Sequence, residues 1–133
     1  MIYASLKCCD MDLKCVKDYQ LRHIELAKKM ALYSDMRQKH GCVIVHNGNV
    51  ISYGWNHMND CEMKCISSFH AEVDALCRLK KHYKKSFLSA CELYVVRVRY
   101  KNNDAGELMN SKPCPHCEEA IVTAGVGKIY YST

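Results

Sequence analysis

The sequence predicts a layered α/β fold built as one domain over residues 1–133. Three observations predict it. Two β-rich runs flank Asn47-Gly48, the strongest short-range hairpin signal. Further strand-like runs alternate with helical segments of about 10 to 15 residues, the pattern of crossover units. A chain of 133 residues is long enough for one real core and too short for two.

The elements follow in order. From Asp18 to Gln38, Ile24, Ala27, Ala31 and Ser34 recur at three-to-four spacing between charges, flanked by Tyr19, Leu26, Met30 and Tyr33. This predicts an amphipathic helix ended by Lys39-His40-Gly41. Cys42 to His46 and Asn49 to Gly54 are the hairpin strands, where the sheet begins. His57 to Ser68 is polar and aperiodic and is expected to be a loop. His70 to Tyr83 is a second helix, with Val73, Leu76, Leu79 and Tyr83 on one face and Lys80, Lys81, Lys84 and Lys85 near its end, complementing the helix dipole. Leu93 to Val98 is nearly continuous in apolar residues, which suits a strand buried on both faces. Lys101 to Asn110 is a loop, Pro115 to Ala124 a short helix and Lys128 to Tyr131 a fourth strand. No internal repeat, linker or low-complexity segment interrupts the pattern.

Composition narrows the function. Nineteen Lys and Arg against 14 Asp and Glu give a formal charge of +5, which suits an anionic small substrate or a modest contact with nucleic acid. The segment Met1 to Cys9 lacks an apolar run of signal-peptide length, and no stretch approaches the ~18 apolar residues of a membrane span. The expectation is a cytoplasmic protein with no membrane partner. In that compartment the ten cysteines are thiols and metal ligands rather than a disulfide framework. Cys42, Cys77 and Cys91 fall in apolar patterns and are expected to act as small hydrophobes. Cys8, Cys9, Cys15, Cys61 and Cys65 lie in polar surroundings.

Two strings carry the chemistry: His70-Ala71-Glu72 and Pro113-Cys114-Pro115-His116-Cys117. Together they offer three soft or borderline metal ligands and a carboxylate. A structural zinc site takes four protein ligands, whereas three leave the position that a catalytic water occupies. Both strings fall at strand-to-helix transitions. That places them at helix N-termini, where the dipole and free N–H groups favour thiolates at Cys114 and Cys117. Each string alone is a weak signal; the pair is specific.

His-x-Glu, a buried strand and then Pro-Cys-x-x-Cys is the signature of the zinc deaminases. The chain resembles the zinc-dependent cytidine and deoxycytidylate deaminase superfamily, in the branch with nucleotide deaminases and tRNA adenosine deaminases. His40-Gly41-Cys42-Val43-Ile44-Val45, Gly54-Trp55-Asn56 and Ala124 to Tyr131 extend the resemblance over most of the chain. It implies a three-layer α-β-α deaminase fold with a mixed sheet that begins with the hairpin. It also implies His70, Cys114 and Cys117 as ligands of one catalytic Zn²⁺, and Glu72 as the proton shuttle. Asn56 is implied as a contact to sugar or base, with a turn asparagine as the plainer reading, and the Ala71 N–H as a contact to the base carbonyl. His116 is expected to face solvent. Trp55 either stacks on a base or packs at the rim.

The activity implied is hydrolytic deamination of a cytosine nucleotide or nucleoside, with dCMP or CMP favoured, giving dUMP or UMP and ammonia. Two alternatives stand beside it. One is a deaminase acting on nucleic acid, on tRNA adenosine or single-stranded cytosine, with the Lys80 to Lys85 cluster, Arg97, Arg99 and Lys101 tracking phosphates. The other is a catalytically silent, zinc-stabilised binding module. His57-x-x-x-Cys61-x-x-x-Cys65 could add a second, structural zinc, as some nucleotide deaminases carry one, although its period of four also fits plain helix spacing. The sequence ends at Thr133, just after the fourth strand, where related enzymes run on through another helix and a fifth strand. The fold is therefore expected to lack both, leaving a bare sheet edge. A homo-oligomer, or another segment of the same chain, is expected to cover it.

Overall fold

The computed structural model describes residues 2–6, 18–58, 68–79, 83–100 and 106–133. Its central sheet contains β1 (Ile2–Leu6), β2 (Lys39–His46), β3 (Asn49–Trp55), β6 (Glu92–Arg99), β7 (Glu107–Met109) and β8 (Lys128–Ser132). The strand order is β1-β8-β6-β2-β3, with β7 paired to the outer part of β6. A separate ribbon pairs β4 (His57–Met58) with β5 (Ser68–Phe69). The helices are α1 (Asp18–Ala31), α2 (Ala71–Arg78), α3 (Lys85–Leu88) and α4 (Pro115–Ala124). Among the described residues no helix is long and apolar enough to cross a membrane.

Alternation along the central strands makes the three layers. Val43 and Val45 of β2 and Tyr94, Val96 and Val98 of β6 join Ile24, Ala27 and Ala31 of α1 on one face. Cys42 and Ile44, with Leu93 and Val95, join Ala71 and Ala75 of α2 and Ile121 of α4 on the other. Period-two strands thus feed two cores at once, and β6 is buried on both faces as its composition predicts. The sheet is mixed: β2 runs antiparallel to β3 and β6, while β8 runs parallel to both β6 and β1.

The sheet does not begin at the hairpin. β1 pairs in parallel with β8, Ile2 opposite Lys128 through Leu6 opposite Ser132, and occupies the edge expected to be bare. The chain's own N-terminal segment supplies the fifth strand of the main order. That edge therefore gives no reason to expect an oligomer. The alternating Ile2, Ala4 and Leu6 were too short a signal to read as a strand in isolation.

Other boundaries shift for local reasons. α1 stops at Ala31, because Leu32 and Tyr33 turn out to solvent and the buried Ser34 accepts the Met36 N–H on its Oγ (3.2 Å). Lys39-His40-Gly41 does not end a helix; it starts β2. The second helix ends at Arg78, with Leu79 extended. Its most buried positions are Ala71, Glu72, Asp74 and Ala75, while Leu76, Leu79 and Tyr83 pack at the core's margin and Val73 is only half-buried. Lys84 and Lys85 do not complement its dipole, since they begin α3; Lys80 and Lys81 lie outside the described residues. Parts of the two expected loops are strands, β4 and β7. Cys42 and Cys91 are buried as expected, but Cys77 is exposed on α2.

Two glycines set how closely the helical layers approach the sheet. A Cβ on Gly41 would lie 1.9 Å from the Ala27 carbonyl oxygen, and one on Gly54 would lie 2.5 Å from the Ala75 nitrogen. Both obstacles are helix backbone, which cannot swing aside as a side chain can. Gly41→Ala is expected to cost about 3 kcal/mol or more by forcing α1 off β2, at or beyond the upper end of ordinary overpacking. Urea unfolding checks it; a loss below about 1 kcal/mol would mean that the α1 layer is not held by this contact.

Candidate active site

Both chemical strings sit at helix N-termini, as their sequence positions predict. His70 is the N-cap of α2 (φ −77°, ψ 153°), and its carbonyl accepts the Asp74 N–H at 2.9 Å. Cys114 is the N-cap of α4 (φ −68°, ψ 163°), its carbonyl accepts the Glu118 N–H at 2.8 Å, and Pro115 opens the helix where no N–H is needed. Cys117 follows within the first turn. Because α2 and α4 lie on the same face of the sheet, their N-termini converge.

The convergence has metal-site dimensions. His70 Nδ1 lies 3.1 Å from Cys117 Sγ and 3.7 Å from Cys114 Sγ, and the three ligand atoms all fall within 4.8 Å of one another. Zn–N bonds of about 2.0–2.1 Å and Zn–S bonds of about 2.3 Å at tetrahedral angles put such atoms roughly 3.6–3.8 Å apart. One nitrogen and two sulfurs at this spacing fit zinc, with a protein ligand short of a closed site. Cys117 is fully buried, Cys114 half-buried and His70 exposed, so the open side faces the cavity.

Glu72 lies in the first turn of α2 and is only 4% exposed. Burial pushes its carboxyl up from the ordinary range, against the pull of its own backbone N–H, the His70 imidazole and the Cys117 thiol. Burial, reinforced by the Glu72 carboxylate, likewise pushes the Cys117 thiol up. Burial therefore works against the thiolate that the helix N-terminus favours, and a cation at the centre would favour it again.

A cavity of about 490 Å³ opens over this centre. His70, Ala71, Glu72 and Cys114 line it together with Met36, Arg37, Gln38, His40 and Asn56 and with Ser111 and Lys112. Part of this lining is stitched by Asn56, which is buried. Its Oδ1 accepts the His40 N–H at 2.8 Å and its Nδ2 donates to the Gln38 carbonyl at 2.6 Å. Both amide ends are thus engaged with residues 38–40, the structural half of the role expected for it. Asp74 fixes the neighbours of Asn56, accepting the Trp55 N–H (3.1 Å) and contacting His57 Nε2 (3.2 Å) and Arg78 Nε (3.2 Å).

The remaining candidates separate clearly. His116 is exposed. Trp55 is a rim residue, with Tyr33 at 5.0 Å and the Arg78 guanidinium at 4.4 Å from its ring. His57 engages Asp74 through Nε2 and lies 3.1 Å from the Met58 carbonyl through Nδ1; Cys61 and Cys65, its partners in the second-zinc set, lie outside the described residues. Arg37, Gln38, Ser111 and Lys112 had carried no sequence signal. They read as helix surface or loop, because only the folded chain brings residues 36–40 and 111–112 to the metal strings.

His40 offers a pH test. Burial lowers its pKa to about 4, only partly offset by the Gln38 carbonyl. An unfolded imidazole near 6.5 binds its proton first, so stability contributed by neutral His40 is complete above about pH 6.5 and is lost as pH falls towards 4. His40→Gln is expected to flatten that window by on the order of 2–3 kcal/mol. Unfolding of both proteins between pH 7 and 4 measures it; parallel curves would place His40 in solvent.

A three-layer α-β-α scaffold carrying His-Cys-Cys beside a buried carboxylate defines a zinc-dependent hydrolytic enzyme. The sequence model of the cytidine and deoxycytidylate deaminase zinc-binding region matches residues 16–133, and the chain belongs to this family. It is 22% identical over 126 residues to an uncharacterized deaminase in the luxG 3′ region of Aliivibrio fischeri, covering 86% of this chain and 73% of that protein. The dCMP deaminase of cyanophage S-TIM5 superposes with a TM-score of 0.60 at 26% identity, over 85% of this chain and 82% of the phage enzyme. That enzyme has also been crystallised with dCMP and dUMP. The cytidine deaminase of Burkholderia pseudomallei shares the fold, with a TM-score of 0.56 at 22% identity over 79% of this chain and 76% of its own. Deamination with zinc as cofactor is the activity of this family.

Proposed function

We propose that the protein deaminates a free cytosine nucleotide, converting dCMP or CMP to dUMP or UMP with release of ammonia. The observation that carries this reading is the placing of two cations, Arg37 and Lys112, in the same cavity as Glu72 and the metal ligands. A nucleoside needs neither, whereas a 5′-phosphate is met by such charges. The phage relative crystallised with dCMP and dUMP supports the same choice.

His70, Cys114 and Cys117 hold the zinc, which supplies a nucleophile at neutral pH by acidifying water. Glu72 moves the protons: its carboxylate takes one from the attacking water and passes it to the ring nitrogen beside the amino-bearing carbon. It then takes the remaining proton of the hydroxyl added to that carbon and delivers it to the amine, so that ammonia leaves as the C=O bond forms. Burial raises the pKa of the Glu72 carboxyl, which favours its holding a proton between transfers. The Ala71 N–H, next to Glu72 at the start of α2, meets the base carbonyl. Asn56 holds residues 38–40 in place and retains a second lone pair on Oδ1 for the substrate.

Ammonia release from deoxycytidine, dCMP, CMP, AMP and an adenosine-containing RNA stem-loop tests the reading. Turnover of dCMP or CMP well above deoxycytidine is expected. Turnover of the stem-loop alone would replace it with the nucleic-acid reading, and zinc-loaded protein inert on every member would make the chain a binding module.

A further inference from the structure

A second cavity, of about 460 Å³, lies against the catalytic one and shares Arg37 and Gln38 with it. Its other walls are Lys39 at the start of β2 and Arg97, Arg99 and Tyr100 at the end of β6. Of the four cations among its lining residues, Arg97 and Arg99 alternate on one face of β6, whereas Lys39, opposite Val98, stands on the α1 face. Antiparallel register sets Lys39 opposite Val98 and His40 opposite Arg97, which brings the basic end of β6 beside the catalytic wall. Arg97 also acts electrostatically on His40.

The charges are not neutralised internally. Among the described residues none of the four cations makes an ion pair, and Glu107, opposite Arg99 in the β6-β7 register, is the acidic side chain placed nearest by pairing. The Lys39 ammonium donates only to the Ser34 carbonyl. Like charges gathered in a concave wall repel one another and focus a positive potential, which an anion relieves. Guanidinium forks match phosphate oxygens in particular.

The geometry points to a subsite for phosphate groups that the bound nucleotide carries beyond its first, formed by Arg97 and Arg99 with Arg37 between it and the catalytic cavity. It rests on the nucleotide reading of the catalytic cavity, whose Arg37 and Lys112 take the first phosphate, and it widens the ligand class from a monophosphate to a nucleotide that carries further phosphates. The ligand chemistry is either the terminal phosphates of a nucleoside triphosphate or the phosphodiester of an adjoining nucleotide. A further hydrogen-bonded charge contact changes affinity by about tenfold to a hundredfold.

Uracil nucleotides, which have no ring amine to lose, allow binding to be read without turnover. Affinities of dUMP, dUTP and the dinucleotide pdUpdU for the zinc-loaded protein are compared by calorimetry between the parent and the double variant Arg97→Ser, Arg99→Ser. We expect the variant to lose about tenfold to a hundredfold for dUTP or for pdUpdU, with dUMP unchanged within about twofold. The ligand that suffers identifies the source. Arg99→Glu, a charge reversal at an exposed side chain, is expected to reproduce the loss on the same ligand with an unchanged melting temperature. Equal weakening of dUMP, or no weakening of either extended ligand, overturns the subsite. Should the protein deaminate nothing and still show the predicted pattern, the subsite stands and the proposed reaction falls.

Discussion

Replacing Glu72 by Gln is expected to lower kcat/KM by ~10² to 10⁴-fold or more, with zinc content unchanged. The isosteric amide keeps the shape of a side chain that is 4% exposed, so packing is preserved and only proton transfer is removed. Glu72→Ala is expected to lose as much activity while also opening a small void. Stability separates chemistry from structure. Burial raises the Glu72 pKa, so at neutral pH the ionised carboxyl opposes folding in protein stripped of metal. Zinc-stripped Glu72→Gln should therefore melt no lower than zinc-stripped parent. If it melts several degrees lower, Glu72 is chiefly a structural hydrogen-bond partner of Cys117. If activity survives within tenfold, the proton shuttle lies elsewhere.

What the sequence made legible was whatever depends on local periodicity and on ligand chemistry. Asn47-Gly48 announced the hairpin, the apolar run of β6 announced a strand covered on both faces, and Cys114-Pro115 announced the start of α4. The two N-caps that carry His70, Cys114 and Cys117 were readable one at a time, and they converge because α2 and α4 share one face of the sheet. Long-range placement was not legible. Ile2–Leu6 has too few residues for a pattern, and its strand exists only because β8 offers an unpaired edge. The cavity wall at residues 36–40 had looked like the tail of α1, since apolar spacing continues through Ser34. It is instead a short loop running into the start of β2, tied by Asn56, whose amide bonds cross from the end of β3. The burial that opposes a thiolate at Cys117 was not legible for a related reason. Position at a helix N-terminus is written in the sequence, but depth of burial is a property of the packed layers.

Zinc is expected to tie α2 to α4, and removing a ligand should show it in two ways that differ by position. Cys117 is fully buried beside the α4 core, whereas His70 is exposed at the rim. Both Cys117→Ser and His70→Ala should reduce bound zinc from one per chain to below about a tenth and abolish turnover, because two ligands hold a catalytic zinc far more weakly than three. In metal-free protein the two should diverge. His70→Ala removes an exposed ring and should melt with the stripped parent. Cys117→Ser puts a smaller, more strongly hydrated hydroxyl in a desolvated place beside His70 and Glu72 and should melt lower, by about 1–3 kcal/mol of stability. Readding zinc to the parent should raise its melting temperature in proportion to log free zinc, as a ligand bound only by the folded state requires. Zinc retained near one equivalent in Cys117→Ser would mean that the metal sits elsewhere, with His57, Cys61 and Cys65 the next set to substitute. A stripped parent as stable as the loaded one would mean that convergence of the two helices is fixed by the sheet and the metal serves chemistry alone.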